Sequence, residues 1–390
     1  MTRLVPCLLL LAAGLPALAA DPPAPRAVDV AAPDGVKLKA TYYPAAQPGP
    51  GVLLLHMCNS SRQAWDVVGK QLAAVGIHAL ALDYRGYGES GGERFQDDPQ
   101  KQQQVVNQKW PGDVDAAFAV LVQQPGVDGK RVGAGGGSCG VNQAVQAASR
   151  HPEVRALVLL AGGTDGRGRT YLQKNGWLPV FAAAAADDQF DRDALRSMQW
   201  LADLSGNPRS RFVGFADGKH GTEIFGPHPE LPRQIVDWYV DTLVKAPVDP
   251  KSPPALRKTP AAEFLAALDA PGGVAKARQQ FVEARRRDPQ AYLFPEGMMN
   301  LLGYERLQAG QMQDAIELFK MNAEAYPTSA NTYDSLGDAY VAAGQNEDAR
   351  KASEKCLELL PADKLDDAAK KAIRQSAEQK LEKLKPAPAK

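Results

Sequence analysis

A serine stands in the most distinctive motif of the sequence, Gly136-Gly-Ser138-Cys-Gly140, which has the spacing G-x-S-x-G. A strand-like apolar run precedes the motif, and a helical pattern follows it from Gln143. Serine at a sharp strand-to-helix turn adopts a strained backbone, and glycine two places to either side lets the strand and helix pass closely. The motif predicts a nucleophilic Ser138, with the amide of Cys139 placed to stabilise an oxyanion.

The same stretch also contains Gly133-Ala-Gly135 followed by Ser138, an incomplete version of the dinucleotide motif G-x-G-x-x-G. A nucleotide site of that kind needs an acidic residue after the next strand, and the sequence offers no fitting one. Nucleotide binding is therefore disfavoured, and the catalytic interpretation depends on a base and an acid further along the chain.

Both partners have candidates downstream of the serine. Of five histidines, His220 lies in the short turn Asp217–Thr222 directly after a predicted strand, where loops face the serine. The acid should follow the preceding strand, where Asp187 and Asp188 are adjacent. Neighbouring residues in a turn point in different directions, so one of them orients the imidazole. We predict Asp188 for this role and keep Asp187 in reserve.

The elements that must position these residues form an alternating pattern. From about residue 26 to 245, short β-branched runs alternate with amphipathic helical patterns. This alternation is typical of an α/β fold, a mostly parallel sheet with flanking helices. A Pro-rich linker, residues 246–260, marks the end of this predicted domain, which spans residues 24–245.

Two loops bear on access to the predicted site. Residues 93–108 are polar and are expected to form an exposed loop or a partly helical insertion. Between Gly162 and Leu178 only a short polar segment separates two predicted strands, which leaves no room for a large helical lid. We therefore expect an open site that favours soluble or exposed acyl groups over a buried long-chain lipid, unless the loop of residues 93–108 covers it.

Residues 261–390 repeat at a fixed interval. Leu302-Gly303 recurs as Leu336-Gly337, and the other matching positions are also 34 residues apart. The second copy, from Tyr333 to Pro361, resembles a tetratricopeptide repeat in its period and in its alternation of small and large residues. An all-α helical-repeat domain is predicted here, with a role in binding a protein or peptide partner, in self-association or in stability.

Composition and charge restrict the partners and the location. The chain has 45 basic and 45 acidic residues, which disfavours nucleic acid and anionic membranes as partners. Residues 1–20 read as a signal peptide cleaved near Ala19 or Ala20, so we expect export to a periplasm or secretion. No later stretch is apolar enough to span a membrane. Of the four cysteines, cleavage would leave Cys58, Cys139 and Cys356, which allow one disulfide at most.

The order Ser138, Asp188, His220, together with the turn Asp83–Ser90, resembles the α/β-hydrolase superfamily, and most closely dienelactone-hydrolase-like and acyl-peptidase-like serine hydrolases. The resemblance implies acyl transfer to water through a covalent serine intermediate, with no metal and no organic cofactor. Dienelactone hydrolases in the narrow sense use cysteine. Here the glycine spacing favours Ser138 over Cys139 as the nucleophile.

One departure from the family concerns the second oxyanion amide. Family members often have His-Gly at this strand end, whereas this chain has His56-Met57-Cys58. The resemblance therefore assigns the amide to Met57 or to Cys58. If Cys58 and Cys139 carry the two facing amides, their α-carbons fall within disulfide range, roughly 4.4–6.8 Å. A disulfide bracing the oxyanion hole is one hypothesis, and two small buried residues without a bond are the other.

Two functions from different classes follow from these patterns. The first is an exported serine hydrolase that cleaves a small-molecule ester, lactone or related acyl bond. The second is an interaction protein that acts through its helical repeats and carries a catalytically silent hydrolase-like domain. The intact serine, aspartate and histidine favour the enzyme.

Overall fold

A computed structural model of the chain describes residues 21–95 and 97–384. The predicted signal peptide, residues 1–20, lies outside the described residues. Among the helices of the described part, none has both the length and the apolar composition needed to cross a bilayer.

An eight-stranded sheet forms the first half of the molecule, in the strand order β1-β2-β4-β3-β5-β6-β7-β8. β1 pairs with β2, and β2 with β4, in antiparallel fashion, whereas all other neighbours are parallel. The α/β sheet predicted from the sequence is confirmed. The strands are β1 Arg26–Ala31, β2 Lys37–Tyr43, β3 Gly49–Leu55, β4 His78–Leu82, β5 Val127–Gly137, β6 Val154–Leu160, β7 Val180–Ala185 and β8 Arg211–Phe215.

Helices cover both faces of this sheet, which is why its central strands are apolar throughout rather than alternating. Every residue of β3, β4 and β7 is buried. One face packs against α3 to α6 and the other against α1 and α7. The helices of this part are α1 Asp66–Ala74, α2 Pro99–Gln108, α3 Trp110–Val122, α4 Cys139–Arg150, α5 Gly166–Lys174, α6 Ala194–Asp203 and α7 Leu231–Tyr239, the last continued by a π-helical turn, Val240–Lys245.

After a segment without helix or strand, residues 246–259, the described residues up to 384 form seven further α-helices. We call residues 260–383 the helical region. Thr259 caps its first helix by accepting a hydrogen bond from the Ala262 amide (3.2 Å), and Pro260 occupies the first turn. The helices are α8 Pro260–Asp269, α9 Gly273–Arg287, α10 Glu296–Gln308, α11 Met312–Ala325, α12 Ala330–Ala342, α13 Asn346–Leu359 and α14 Asp367–Lys383.

The helical region follows the interval seen in the sequence. Helices α10 and α12 begin 34 residues apart, at Glu296 and Ala330, and α11 and α13 keep the same interval. Assignment of these pairs to the tetratricopeptide family stays a prediction. Phe264, Phe281 and Phe294 from this region belong to the same hydrophobic core as one face of the sheet. The two parts of the chain therefore share a core.

Candidate active site

Ser138 occupies the turn between β5 and α4 with φ 53° and ψ −120°, a conformation that is costly for a residue with a side chain. The flanking glycines make the turn sterically feasible. A Cβ at Gly136 would overlap the carbonyl oxygen of Gly140, and a Cβ at Gly140 would lie 2.5 Å from the carbonyl oxygen of Leu55. The strand and the helix therefore cross too closely at positions 136 and 140 for any residue larger than glycine, and this crossing holds Ser138 in its strained turn.

His220 and Asp188 are brought together from two different strand ends. The imidazole Nδ1 lies 2.7 Å from Asp188 Oδ2, and both side chains are buried. The other oxygen, Oδ1, accepts the amides of Phe190 (2.8 Å) and Asp191 (3.1 Å). Three hydrogen bonds thus fix the carboxylate, and the carboxylate in turn fixes the ring. With Nδ1 occupied, Nε2 is the nitrogen left to exchange a proton with a substrate or nucleophile.

Asp187 has a different task from its neighbour. Its carboxylate accepts the amide of Lys219 at 2.9 Å, and Lys219 itself has a positive φ of 59°. Asp187 therefore holds the turn that delivers His220, while Asp188 contacts the imidazole. The structure separates the two adjacent carboxylates that the sequence left as first choice and reserve.

Ser138, Asp188 and His220 line one cavity of about 730 Å³, together with Met57 and Cys58. The segment after His220 lies against the serine turn, since a Cβ on Gly221 would be 3.8 Å from the Ser138 amide nitrogen. Within residues 21–95 and 97–384, the Ser138 hydroxyl has no hydrogen-bond partner. In serine–histidine sites without substrate, the hydrogen bond between the hydroxyl and the imidazole is often long or absent, and it commonly forms only when substrate is bound.

His56 supports the segment that should supply the second oxyanion amide. It is fully buried, its Nδ1 lies 2.6 Å from the Met57 carbonyl oxygen, and its Nε2 accepts the Tyr84 amide at 3.1 Å. Burial lowers the pKa of His56 to about 4, outweighing the hydrogen bond to Met57 and the charge of Asp83, which raise it. The ring is therefore neutral with its proton on Nδ1. Because C=O and N–H of a trans peptide point in opposite directions, anchoring the Met57 carbonyl turns the Cys58 amide away from this ring.

A disulfide joins Cys58 to Cys139, with the α-carbons 5.7 Å apart. It links the loop after β3 to the first residue of α4, the two segments whose amides should face an oxyanion. The Cys139 amide opens the helix, so it has no acceptor within the helix and lies at the positive end of the helix dipole. Cys356 is a free, buried cysteine in the helical region.

The turn Asp83–Ser90, which carried part of the resemblance, is built around the Asp83 carboxylate. Asp83 forms a buried ion pair with Arg62 and accepts the Glu89 amide at 3.0 Å. A Cβ at Gly88 would overlap this carboxylate. The turn is a structural unit that packs beside the loop after β3, and its aromatic residues Tyr84 and Tyr87 contact the His56 ring.

The remaining histidines have partners away from the cavity. His78 bonds the Tyr42 hydroxyl (2.6 Å), His151 bonds Asp115 (2.8 Å), and His228 lies against Phe215 and bonds the Asp217 carbonyl (2.8 Å). His220 is thus the histidine that combines a buried carboxylate partner with a place on the cavity wall. In the sequence, His56 fits the His-Gly pattern of the family and Met57 departs from it, and no local signal indicated the anchoring role of His56.

The match to known proteins agrees with this architecture. Residues 46–198 match the family model of serine aminopeptidases, S33, a family of hydrolases. The sheet-containing part has the α/β-hydrolase fold. We call residues 26–245 the hydrolase domain, and the resemblance to the α/β-hydrolase superfamily is confirmed.

Individual relatives cover only parts of the chain. The chain is 33% identical to thiohydrolase aneE from Aspergillus aculeatus over 131 residues. The matched stretch covers 32% of this chain and 37% of that protein. The chain therefore matches little more than a third of the length of this curated relative.

Two solved structures are similar to the chain at low identity. Esterase Pf2001 from Pyrococcus furiosus is 21% identical with a TM-score of 0.45, covering 56% of this chain and 93% of the esterase. Dienelactone hydrolase from Anabaena variabilis is 21% identical with a TM-score of 0.43, covering 57% of this chain and all of that enzyme (100%).

Proposed function

We propose that the protein is a serine hydrolase that cleaves an ester, lactone or related acyl bond of a small molecule. The observation that carries the proposal is the His220–Asp188 pair, joined at 2.7 Å and lining the same cavity as the strained Ser138. A buried carboxylate that orients an imidazole beside a serine turn is the arrangement that activates a serine for acyl transfer.

The chemistry begins with attack of Ser138 Oγ on the acyl carbon. His220 Nε2 takes the hydroxyl proton, and Asp188 stabilises the imidazolium through Nδ1. The oxyanion accepts hydrogen bonds from the Cys139 amide and from the amide of Cys58 or Met57. His220 then protonates the departing alcohol or thiol as the bond to it breaks. Water, deprotonated by the same imidazole, attacks the acyl-enzyme, and the imidazolium returns that proton to Ser138 Oγ as the acid is released.

We favour Cys58 over Met57 as the second oxyanion donor. Its amide belongs to the peptide whose carbonyl His56 anchors, and its side chain is tied to Cys139. Thioesters belong among the substrates to be tested because the curated relative is a thiohydrolase. The disulfide also supports the proposal of export, since disulfides persist in oxidising compartments.

The test compares Ser138→Ala with the wild type on p-nitrophenyl butyrate and on a butyryl thioester. Loss of the nucleophile should lower kcat by at least about a thousandfold. The matched control is Ser149→Ala, since Ser149 lies exposed at the far end of α4, where its hydroxyl donates to the Gln146 carbonyl (2.7 Å). Labelling by a fluorophosphonate should depend on Ser138 in the same way.

The outcome that contradicts the proposal is equal turnover by wild type and Ser138→Ala, or no turnover and no labelling of the wild type. In the second case the catalytically silent interaction protein, acting through the helical region, becomes the better description.

A further inference from the structure

The wall of the active-site cavity comes from both parts of the chain. The hydrolase domain contributes Ala194, Trp200 and Leu201, all from α6, beside the catalytic residues. The helical region contributes Pro295, Gly297, Met298 and Leu301, from the start of α10. Met298 and Leu301 are three residues apart, so they share one face of the helix. A short helix, α5, lies between β6 and β7, and α10 supplies a further part of the cavity wall from beyond the linker.

Two polar contacts hold the start and the end of α10 against the hydrolase domain. Trp200, itself on the cavity wall, donates its indole N–H to the Leu293 carbonyl at 2.8 Å. The guanidinium of Arg169, which is buried, pairs with Glu305 of α10 at 2.9 Å. These contacts lie at both ends of the wall segment, so the position of Met298 and Leu301 relative to Ser138 is determined by the packing of the two parts.

Arg192 adds a third link, close to the catalytic acid. It lies four residues after Asp188 and pairs with Glu296 (2.9 Å), the first residue of α10, and with Asp363 (2.6 Å). The loop that carries the acid is thus tied to the same helix that lines the cavity. A substrate that contacts α10 therefore contacts a helix whose position relative to the catalytic residues is fixed.

The surface of the cavity is mainly apolar. Its charged side chains already have partners within the protein, as shown by the pairs Arg169–Glu305, Asp188–His220, Asp191 with the Asp193 amide, and Glu223 with Gln189. By contrast, Phe190 is 69% exposed and packs its ring against His220, and Leu301 is 42% exposed. Large apolar groups gathered at a cavity mark a surface that a ligand covers.

We propose that α10 forms, together with α6 and Phe190, the acyl-binding wall of the enzyme, and that the substrate carries an apolar acyl chain of medium length. This inference rests on the proposed hydrolase function and names its substrate class. A cavity of about 730 Å³ is of the size that holds a complete small ligand. The proposal replaces the expectation of an open site for soluble or exposed acyl groups, because that expectation considered only loops of the hydrolase domain and not the helical region.

The test measures kcat/KM for p-nitrophenyl acetate, butyrate and octanoate. Each methylene that leaves water should raise kcat/KM about fourfold until the wall is covered. Leu301→Asp should lower the ratio of octanoate to acetate kcat/KM at least tenfold, because the chain would have to desolvate a carboxylate. The matched control is Val341→Asp, since Val341 is 37% exposed on α12 and lies outside this cavity. It should leave the ratio unchanged.

A second variant and a binding measurement keep the proposal testable without turnover. Met298→Trp should reduce the same ratio by occupying the space of the chain. Calorimetry on Ser138→Ala should detect octanoate binding that is lost when Leu301→Asp is added and kept when Val341→Asp is added. If octanoate binds in this pattern but no ester or thioester is cleaved, the wall stands and the serine hydrolase proposal fails. A ratio that is the same in the wild type, Leu301→Asp and Met298→Trp overturns the wall, as does octanoate binding that Leu301→Asp does not change.

Discussion

Replacing both Cys58 and Cys139 by serine should destabilise the hydrolase domain and slow catalysis in the same variant. The disulfide closes a loop between residues 81 positions apart. In the chain-entropy description, a loop of that length restricts the unfolded chain by about 4 to 5 kcal/mol, which is the upper bound of the stability lost. The catalytic loss has a separate origin, because the disulfide also fixes the distance between the two oxyanion segments.

The kinetic magnitude follows from what one oxyanion donor contributes. Removing a single such donor costs about 3 to 4 kcal/mol, so kcat should fall by about 100- to 1000-fold at most. A smaller loss would mean that His56 alone keeps the Met57–Cys58 peptide in place. The two readouts therefore separate the disulfide from the histidine as supports of the same peptide.

The assay is equilibrium urea unfolding and p-nitrophenyl butyrate turnover, each with and without a thiol reductant. The wild type should lose stability and activity on reduction, whereas the double variant should not respond. Cys356→Ala is the control, because it removes the free cysteine of the helical region and should keep the full response of the wild type. Titration of three free thiols in unreduced protein that lacks residues 1–20 would refute the reasoning, as would a double variant as stable as the wild type.

Three further predictions concern the same site. Asp188→Asn should lower kcat by about 10⁴-fold, because Asp188 contacts the imidazole of His220. Asp187→Asn should lower kcat less than about tenfold, because an amide oxygen can still accept the hydrogen bond from the Lys219 amide. Equal losses of kcat in steady-state kinetics of the two variants would contradict this prediction. Gly140→Ala places a methyl group 2.5 Å from the Leu55 carbonyl oxygen at the end of β3 and should lower kcat/KM about 100-fold. Gly226→Ala is the control, because its methyl group would have its nearest contact at 3.4 Å and should leave kcat/KM unchanged. Equal kcat/KM values for the two variants would refute the steric argument. His56 has a pKa of about 4 in the folded chain, against an ordinary value of 6.5. Between these two pH values the unfolded chain binds a proton at His56 and the folded chain does not. Its contribution to stability, about 3 kcal/mol, is present above pH 6.5 and lost as the pH falls to 4; urea unfolding across this range should show a flatter pH dependence in His56→Gln, and an unchanged slope would contradict it.

Features that depend on neighbouring residues were predictable from the sequence. The glycines at 136 and 140 indicate the serine turn because local sterics alone require them. The alternation of apolar runs and helical patterns predicted the α/β sheet, since buried parallel strands need apolar residues on both faces. The order of Ser138, Asp188 and His220 along the chain then predicted the kind of site, because the carboxyl ends of parallel strands meet at one edge of a sheet.

Features that depend on direction or on distant packing were decided by the tertiary structure. Composition cannot tell which of Asp187 and Asp188 faces the imidazole, because that depends on the backbone angles of the turn. The neutral, anchoring role of His56 depends on burial beside the Tyr84 amide, which no local pattern encodes. The wall that α10 adds to the cavity comes from residues more than a hundred positions beyond Ser138. Periodicity determines which face of a helix is apolar, but only packing of the whole chain determines what that face meets.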